Sequence, residues 1–342
     1  MSDQVPDGVE TVDLHAHALA PAVMGLVSDQ PGHLAQQDQD RRFFGAASSA
    51  VNGAQLGRIG PLLTDPARRL AAMDAAGVDR QLVSPMPLYH SWADEPLAER
   101  ITRLTNAGVA ELVATNPGRL TGLGTVPLQH PELAAAELDH AVSELGLAGV
   151  QIGTAYGDRE LADDAYAGFW ARAEELGCVV FVHPWGCSLG ERLDRHYLAN
   201  TVGNPTETTV ALSHLIFSGL LDRHPGLRLL AAHGGGYLPT YIGRSDHAWA
   251  ARPDAHACAE PPSAYLRRIW FDSLVYTPQA LRQLVEAVGA AQVVLGSDYP
   301  FDMGVEDPVD RLLAAGLDAA DEVAVRGGNA ARLLQRSTVG AR

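Results

Sequence analysis

Eight short segments rich in β-branched and other apolar residues recur along this chain, separated mostly by stretches with helical patterning. In order they are TVDLHAH (11–17), VDRQLVSP (78–85), LTGLGTVPL (120–128), LAGVQIGT (147–154), CVVFVHP (178–184), LRLLAAHGG (227–235), RIWFDSLV (268–275) and QVVLGSDYP (292–300). Helix starts are marked by Asp65-Pro66 ahead of ARRLAAMDAAG, by Pro131 ahead of ELAAAELDHAVSELG, and by Thr277-Pro278 ahead of QALRQLVEAVG. Proline suits those positions because its missing N–H is not needed in a first helical turn. Gly77, Gly146, Gly177 and Gly289 then stop helices close to the next strand. Strands that are apolar along nearly their whole length are buried on both faces, as in a parallel sheet covered by helices. Eight such units in one chain predict an α/β fold closed as a (β/α)8 barrel, the TIM barrel, rather than a doubly wound sheet.

Two stretches exceed what a minimal barrel needs: residues 18–64, rich in Gly, Gln and Ala, after the first strand, and residues 186–226 after the fifth. Loops this long inside a compact domain usually serve function, and in a barrel both fall on the C-terminal face. Residues 18–64 are therefore expected to form a lid. Residues 303–336 hold two or three further helical patterns that close the barrel wall. No linker interrupts the chain, so a single barrel domain is expected over residues 11–336.

Composition narrows the chemistry by exclusion. All 25 basic residues are arginine. The absence of lysine removes Schiff-base catalysis, the P-loop and a carboxylated lysine bridging two metals. A net charge of -16 with no run of arginines excludes a nucleic-acid partner. The N-terminus, MSDQVPDGVE, lacks a basic-then-apolar leader, and no run approaches the ~18 apolar residues of a membrane span. A cytoplasmic protein with no membrane partner is expected. Cys178, Cys187 and Cys258 are an odd set without C-x-x-C spacing, consistent with thiols in a reducing compartment.

The polar residues that carry chemistry cluster where strands end. The first strand ends in His15-Ala-His17, the fifth in His183-Pro184, the sixth in His233-Gly234-Gly235-Gly236 and the eighth in Ser297-Asp298-Tyr299-Pro300. Strand periodicity puts His15 and His17 on one side, so both imidazoles can share a cation. A lone H-x-H is weak evidence, because a strand-end histidine is commonly a hydrogen-bonded structural residue. Further ligand-type residues on other strand ends, on the face where barrel enzymes gather their catalytic groups, turn the pattern into a metal site. Three imidazoles and one carboxylate leave room for water and match Zn2+ best, with Mn2+, Fe2+ or Co2+ as substitutes. No lysine or carboxylate stands on LAGVQIGT to bridge a second ion, so one metal per chain is expected.

These motifs, DLHAH, FVHPW, AAHGGGYLPTYIGR and GSDYPF, together with VGNPTETT and HAWAARPD, resemble the amidohydrolase superfamily, and within it the branch of metal-dependent, non-oxidative decarboxylases. The resemblance runs from residue 11 to about 335 and implies metal ligands His15, His17, His183 and Asp298. It implies that His233 is a non-ligand histidine taking a proton from metal-bound water, and that Asp298 also shuttles a proton. The implied reaction removes carbon dioxide from a small unsaturated or aromatic carboxylic acid bearing a neighbouring amino, hydroxyl or aldehyde group. The same barrel in this superfamily also serves hydrolases, so hydrolysis or hydration of a small ester, lactone, amide or enol acid is the alternative. The resemblance further implies a homodimer in which Arg252 reaches the neighbouring subunit's active site, against the plain reading of a solvated helix-end charge. Arg58 lies within about one position of the family's second anchoring arginine, although its flanking residues differ. Trp185 and Phe301 adjoin ligand motifs and are expected either to wall the substrate pocket or to pack the core. His33, His130, His140, His214, His224, His247 and His256 fall away from strand ends and read as solvated or structural, with His90 and His196 nearer the barrel mouth.

Overall fold

The computed structural model describes residues 9–335, so residue 336, the last of the expected domain, lies outside the described residues. The wall strands are β1 (Val12–Ala18), β2 (Arg80–Pro85), β3 (Leu120–Gly122) with its continuation β4 (Gly124–Thr125), and β5 (Gly149–Ile152). A small hairpin, β6 (Ala155–Tyr156) and β7 (Arg159–Glu160), follows, and β8 (Val179–Val182), β9 (Arg228–Ala231), β10 (Ile269–Asp272) and β11 (Val293–Val294) complete the wall. All wall pairings are parallel, in the orders β1-β2-β3 and β4-β5-β8-β9-β10-β11. The two sheets join where Leu123 N–H donates to the Val83 carbonyl at 2.8 Å and Ala148 N–H donates to the Gly122 carbonyl at 2.8 Å.

The eighth wall position is regular only over Val293–Val294, yet the chain beyond it runs along β1. Leu14 N–H donates to Leu295 O at 2.8 Å, Asp298 N–H to His15 O at 2.7 Å, and His17 N–H to Tyr299 O at 2.8 Å, with a parallel bridge between Ala16 and Tyr299. The fold is thus the (β/α)8 barrel expected from the strand pattern, with its long insertions after the first and fifth wall strands.

Alternating residues of each strand serve two cores. In β8, Val180 and Val182 join the cluster made with the surrounding helices, while Val179 and Phe181 join Leu82, Leu230 and Val294 in a second cluster. Burial of both faces is what the continuous apolar strands require, and at ~25 cal/mol per Å2 it is the main drive toward the closed wall.

The 18–64 excursion is not a loop. It consists of α1 (Pro21–Val27) and α2 (Pro31–Thr64), followed directly by α3 (Pro66–Ala75), whose N-cap Asp65 accepts from Ala67 N–H at 2.9 Å. No apolar stripe recurs along α2 at helical spacing, so its sequence read as irregular; tertiary contacts with Leu193, Ala199 and Trp185 through Phe43 and Phe44 hold it. It breaks at Gly45 (φ 73°, ψ 163°), a conformation only glycine takes readily, where a Cβ would stand 1.9 Å from the Asp194 carbonyl oxygen. Much of 186–226 is also helical, chiefly Asn204–Phe217. No helix among the described residues is long and apolar enough to cross a membrane.

Candidate metal centre and active-site cavity

His15 and His17 leave β1 on the same side, and their Nε2 atoms stand 3.2 Å apart. Asp298 Oδ1 lies 3.2 Å from His17 Nε2 and 3.5 Å from His15 Nε2. His183, just past β8, completes a group in which His15, His17, His183 and Asp298 each offer one ligand atom within 4.8 Å of the others, all four side chains buried. Asp298 reaches this position from a left-handed backbone (φ 57°) anchored by its own N–H on His15 O.

The outer nitrogens of these rings are already engaged. His15 Nδ1 meets Asp272 Oδ2 at 2.6 Å, His17 Nδ1 lies 3.2 Å from the Pro85 carbonyl and 3.1 Å from Ser84 Oγ, and His183 Nδ1 is 3.0 Å from the Pro184 carbonyl. An imidazole that donates from Nδ1 keeps its Nε2 lone pair for a cation. His183 Nε2 is buried with no hydrogen-bond partner, as befits a nitrogen whose lone pair is kept for a cation. The donor set therefore fits a single divalent ion of the zinc or manganese type.

The electrostatics agree. Burial, with His17, His15 and His233 close by, pushes the His183 imidazole well below its ordinary pKa, and burial likewise lowers His17. Burial works against the charged form of Asp298 too, yet His15, His17 and His233 hold its carboxyl well below the usual range. For His15, burial is outweighed by Asp298 and Asp272, which raise its pKa. An ionised carboxylate beside imidazoles held neutral at His17 and His183 suits a cation, which would displace the proton that Asp298 and Asp272 draw onto His15.

Asp272, at the end of β10, is the residue that the strand-end reading passed over. It is fully buried and accepts from His15 Nδ1–H, from the backbone N–H of His233 and of Gly234 at 2.8 Å each, and from Leu274 N–H at 3.1 Å. Its signal was present: the one acidic residue in RIWFDSLV, at the same end of its strand as the ligands of the others. It fixes His15 and, through two backbone bonds, the turn that carries His233. His233 itself has φ 55°, its ring centroid 5.1 Å from that of His183 and its Nε2 3.8 Å from Asp298 Oδ2. It stands beside the ligand group without belonging to it, and its Nδ1 is buried and unpaired.

Above the ligands lies a cavity of about 480 Å3 bounded by α2 and by the residues after β2, β8 and β11. Trp185 and Phe301 line it; Phe301 stacks edge-on to His17 at 5.3 Å, and Trp185 packs on Phe44 at 5.5 Å. His90 lines it as well, its pKa lowered to about 4 by burial and by neighbouring His33. Of the solvated and structural readings, His33 takes the structural one: it is buried in the cavity wall, because α2 is a helix that turns this residue inward. Arg58 is exposed on α2 and does not line the cavity. Arg252, at the end of helix Leu238–Ala251, is exposed and grips Asp254 of its own chain with Nε at 2.9 Å and a second nitrogen at 2.7 Å.

The amidohydrolase family profile matches residues 12–336, nearly the whole chain. This chain belongs to the amidohydrolase family. Among the relatives of this amidohydrolase is the 2-amino-3-carboxymuconate-6-semialdehyde decarboxylase of Dictyostelium discoideum, 35% identical over 86% of this chain and 82% of that protein. The 5-carboxyvanillate decarboxylase of Sphingomonas paucimobilis superposes with a TM-score of 0.83 at 27% identity, covering 96% of this chain and 100% of the other. A dihydroxybenzoic acid decarboxylase from Polaromonas, solved with manganese and the inhibitor 2-nitroresorcinol, superposes with a TM-score of 0.77 at 25% identity, over 95% of this chain and 96% of that one.

Proposed function

We propose that this amidohydrolase is a metal-dependent, non-oxidative decarboxylase of a small unsaturated or aromatic carboxylic acid. The observation that carries the reading is the buried group His15, His17, His183 and Asp298, with the non-ligand His233 beside it, on the floor of a cavity large enough for one ring. The decarboxylases it resembles share this fold across nearly their whole length.

His15, His17, His183 and Asp298 would hold one divalent cation per chain. Bound there, that ion would supply positive charge to steady the anionic substrate and the charge that develops as the bond breaks. Zn2+ is the metal the donor set favours, and the manganese in the Polaromonas relative makes Mn2+ its rival. Trp185 and Phe301 present apolar faces that hold a planar substrate and exclude water. His233, steered by Asp272 through its backbone, delivers a proton to the carbon bearing the carboxylate. The carbon–carbon bond then breaks, its electron pair restores conjugation, carbon dioxide leaves, and His233 recovers a proton from solvent. In a homodimer, Arg252 of a second copy would reach into this active site to meet the reacting carboxylate beside the cation, and α1 with α2 would act as the lid.

A screen of ortho-hydroxybenzoates and carboxymuconate-type semialdehydes, with carbon dioxide detection and metal analysis of protein purified without chelator, tests the proposal. Carbon dioxide release with about one metal equivalent per chain is expected. Incorporation of solvent oxygen into product without carbon dioxide would establish a hydrolase or hydratase instead.

A further inference from the structure

The wall opposite the strand ends carries two amides, Asn52 and Gln55, each with a buried atom that no group of the protein pairs. Helical spacing puts His33, Gln36, Gln37, Asp40 and Phe44 on one face of the first half of α2, and Asn52, Gln55, Leu56, Gly60 and Leu63 on one face of the second. Both faces line the cavity. In the first half the polar groups satisfy each other: Gln36 Nε2 donates to Asp40 Oδ1 at 2.9 Å, and Gln37 Nε2 pairs with His33 Nε2 at 2.9 Å. The second half differs. Gln55 is only 5% exposed, yet its Nε2 has no hydrogen-bond partner, and the Asn52 Oδ1 one turn away is buried and unpaired as well. A buried amide left unpaired costs stability that a leucine at the same place would not, so a group outside the protein is the natural partner.

Charge says what kind of group. Among the described residues no arginine lines the cavity, whereas Asp40 and Asp302 do. A second carboxylate on the substrate, distant from the cation site, would meet carboxylates of like charge and no cation of this chain.

We infer that the substrate is a monocarboxylate whose far end bears a neutral hydrogen-bonding group, such as a carboxamide or hydroxyl, seated on Gln55 and Asn52, and that dicarboxylates are selected against. Of the two classes screened above, the hydroxybenzoates are therefore favoured over the carboxymuconate-type semialdehydes, which carry two carboxylates. The inference rests on the decarboxylase reading, since it places the reacting carboxylate at the cation. Gln55 and Asn52 are then specificity residues, each able both to donate to and accept from the distal group.

The test uses three inhibitor-type probes on the manganese-loaded protein at pH 7.5, read by calorimetry: 2-nitroresorcinol, 3,5-dihydroxy-4-nitrobenzamide and 3,5-dihydroxy-4-nitrobenzoate. They differ only in the substituent opposite the nitro group. The benzamide is expected to bind at least about tenfold tighter than the benzoate, because a site built to hydrogen-bond rejects a partner that leaves its polar groups badly matched. In Gln55→Leu the benzamide is expected to lose about tenfold relative to 2-nitroresorcinol, and in Asp40→Asn the benzoate is expected to gain relative to the benzamide. A benzoate that binds as well as the benzamide in the unaltered protein, or a benzamide advantage that survives Gln55→Leu, would overturn the inference. If 2-nitroresorcinol binds and the two tailed probes do not differ, the inference alone fails. If 2-nitroresorcinol itself does not bind, the decarboxylase reading fails and the inference with it.

Discussion

Asp272→Asn separates the support of the metal centre from the centre itself. The two carboxylate oxygens of Asp272 divide four donors: Oδ2 takes His15 Nδ1–H at 2.6 Å and His233 N–H at 2.8 Å, and Oδ1 takes Gly234 N–H at 2.8 Å and Leu274 N–H at 3.1 Å. Asparagine keeps the shape but has a single acceptor oxygen, so in either orientation its NH2 faces two groups that previously donated. If the NH2 faces Gly234 and Leu274, two buried bonds to a charge are lost, at roughly 1.5 kcal/mol each, for a total of about 3 kcal/mol. If it faces His15, the ring can answer only by accepting at Nδ1, which moves its proton to Nε2 and removes the lone pair aimed at the ion. Loss of such a supporting group weakens metal affinity by about 10–100-fold. Chelator competition measures the affinity, and urea unfolding of the metal-free protein measures the stability. An affinity within about threefold of the parent together with a stability within about 1 kcal/mol would refute the reasoning.

Other consequences are equally direct. His233→Ala is expected to retain its metal by elemental analysis while losing at least about 100-fold in kcat, the scale of general acid–base catalysis; loss of metal would make His233 a ligand instead. Gly45→Ala should lower unfolding stability by about 2 kcal/mol or more, since the new Cβ would meet the Asp194 carbonyl oxygen at 1.9 Å in a backbone that alanine avoids; a urea midpoint unchanged from the parent would contradict this. Burial pushes the Cys187 thiol up to about 11, so alkylation at pH 8 should run about 100-fold slower than for an ordinary thiol and accelerate as pH rises toward 11; equal rates at pH 8, followed by mass spectrometry, would count against it. If Arg252 acts across a dimer, mixing inactive His183→Ala with inactive Arg252→Ala chains should restore part of the activity, and no recovery under demonstrated subunit exchange would exclude that role.

The barrel and most of its metal centre were legible because their signals are local. Strand ends fall where apolar runs stop, and His15, His17, His183 and Asp298 each stand at such an end. α2 was not legible: its alanine, glycine and glutamine residues carry no apolar stripe, since the side toward the cavity carries polar residues such as Gln36, Gln37, Asn52 and Gln55 and the other side is largely exposed. That His33 is buried rather than solvated follows from the same cause, because only a helix turns that position inward.

The sequence by itself determined the wall of eight strands, the face on which chemistry gathers and the absence of lysine from it, because period-two burial and residue identity act within a few positions of the chain. Tertiary structure decided the rest. Asp272 supports a ligand 257 residues away in the chain only because β10 places it behind His15, and Gln55 faces a substrate cavity only because α2 folds back over the barrel. Such contacts depend on where distant elements are brought by closing a common core, and no local pattern encodes that distance.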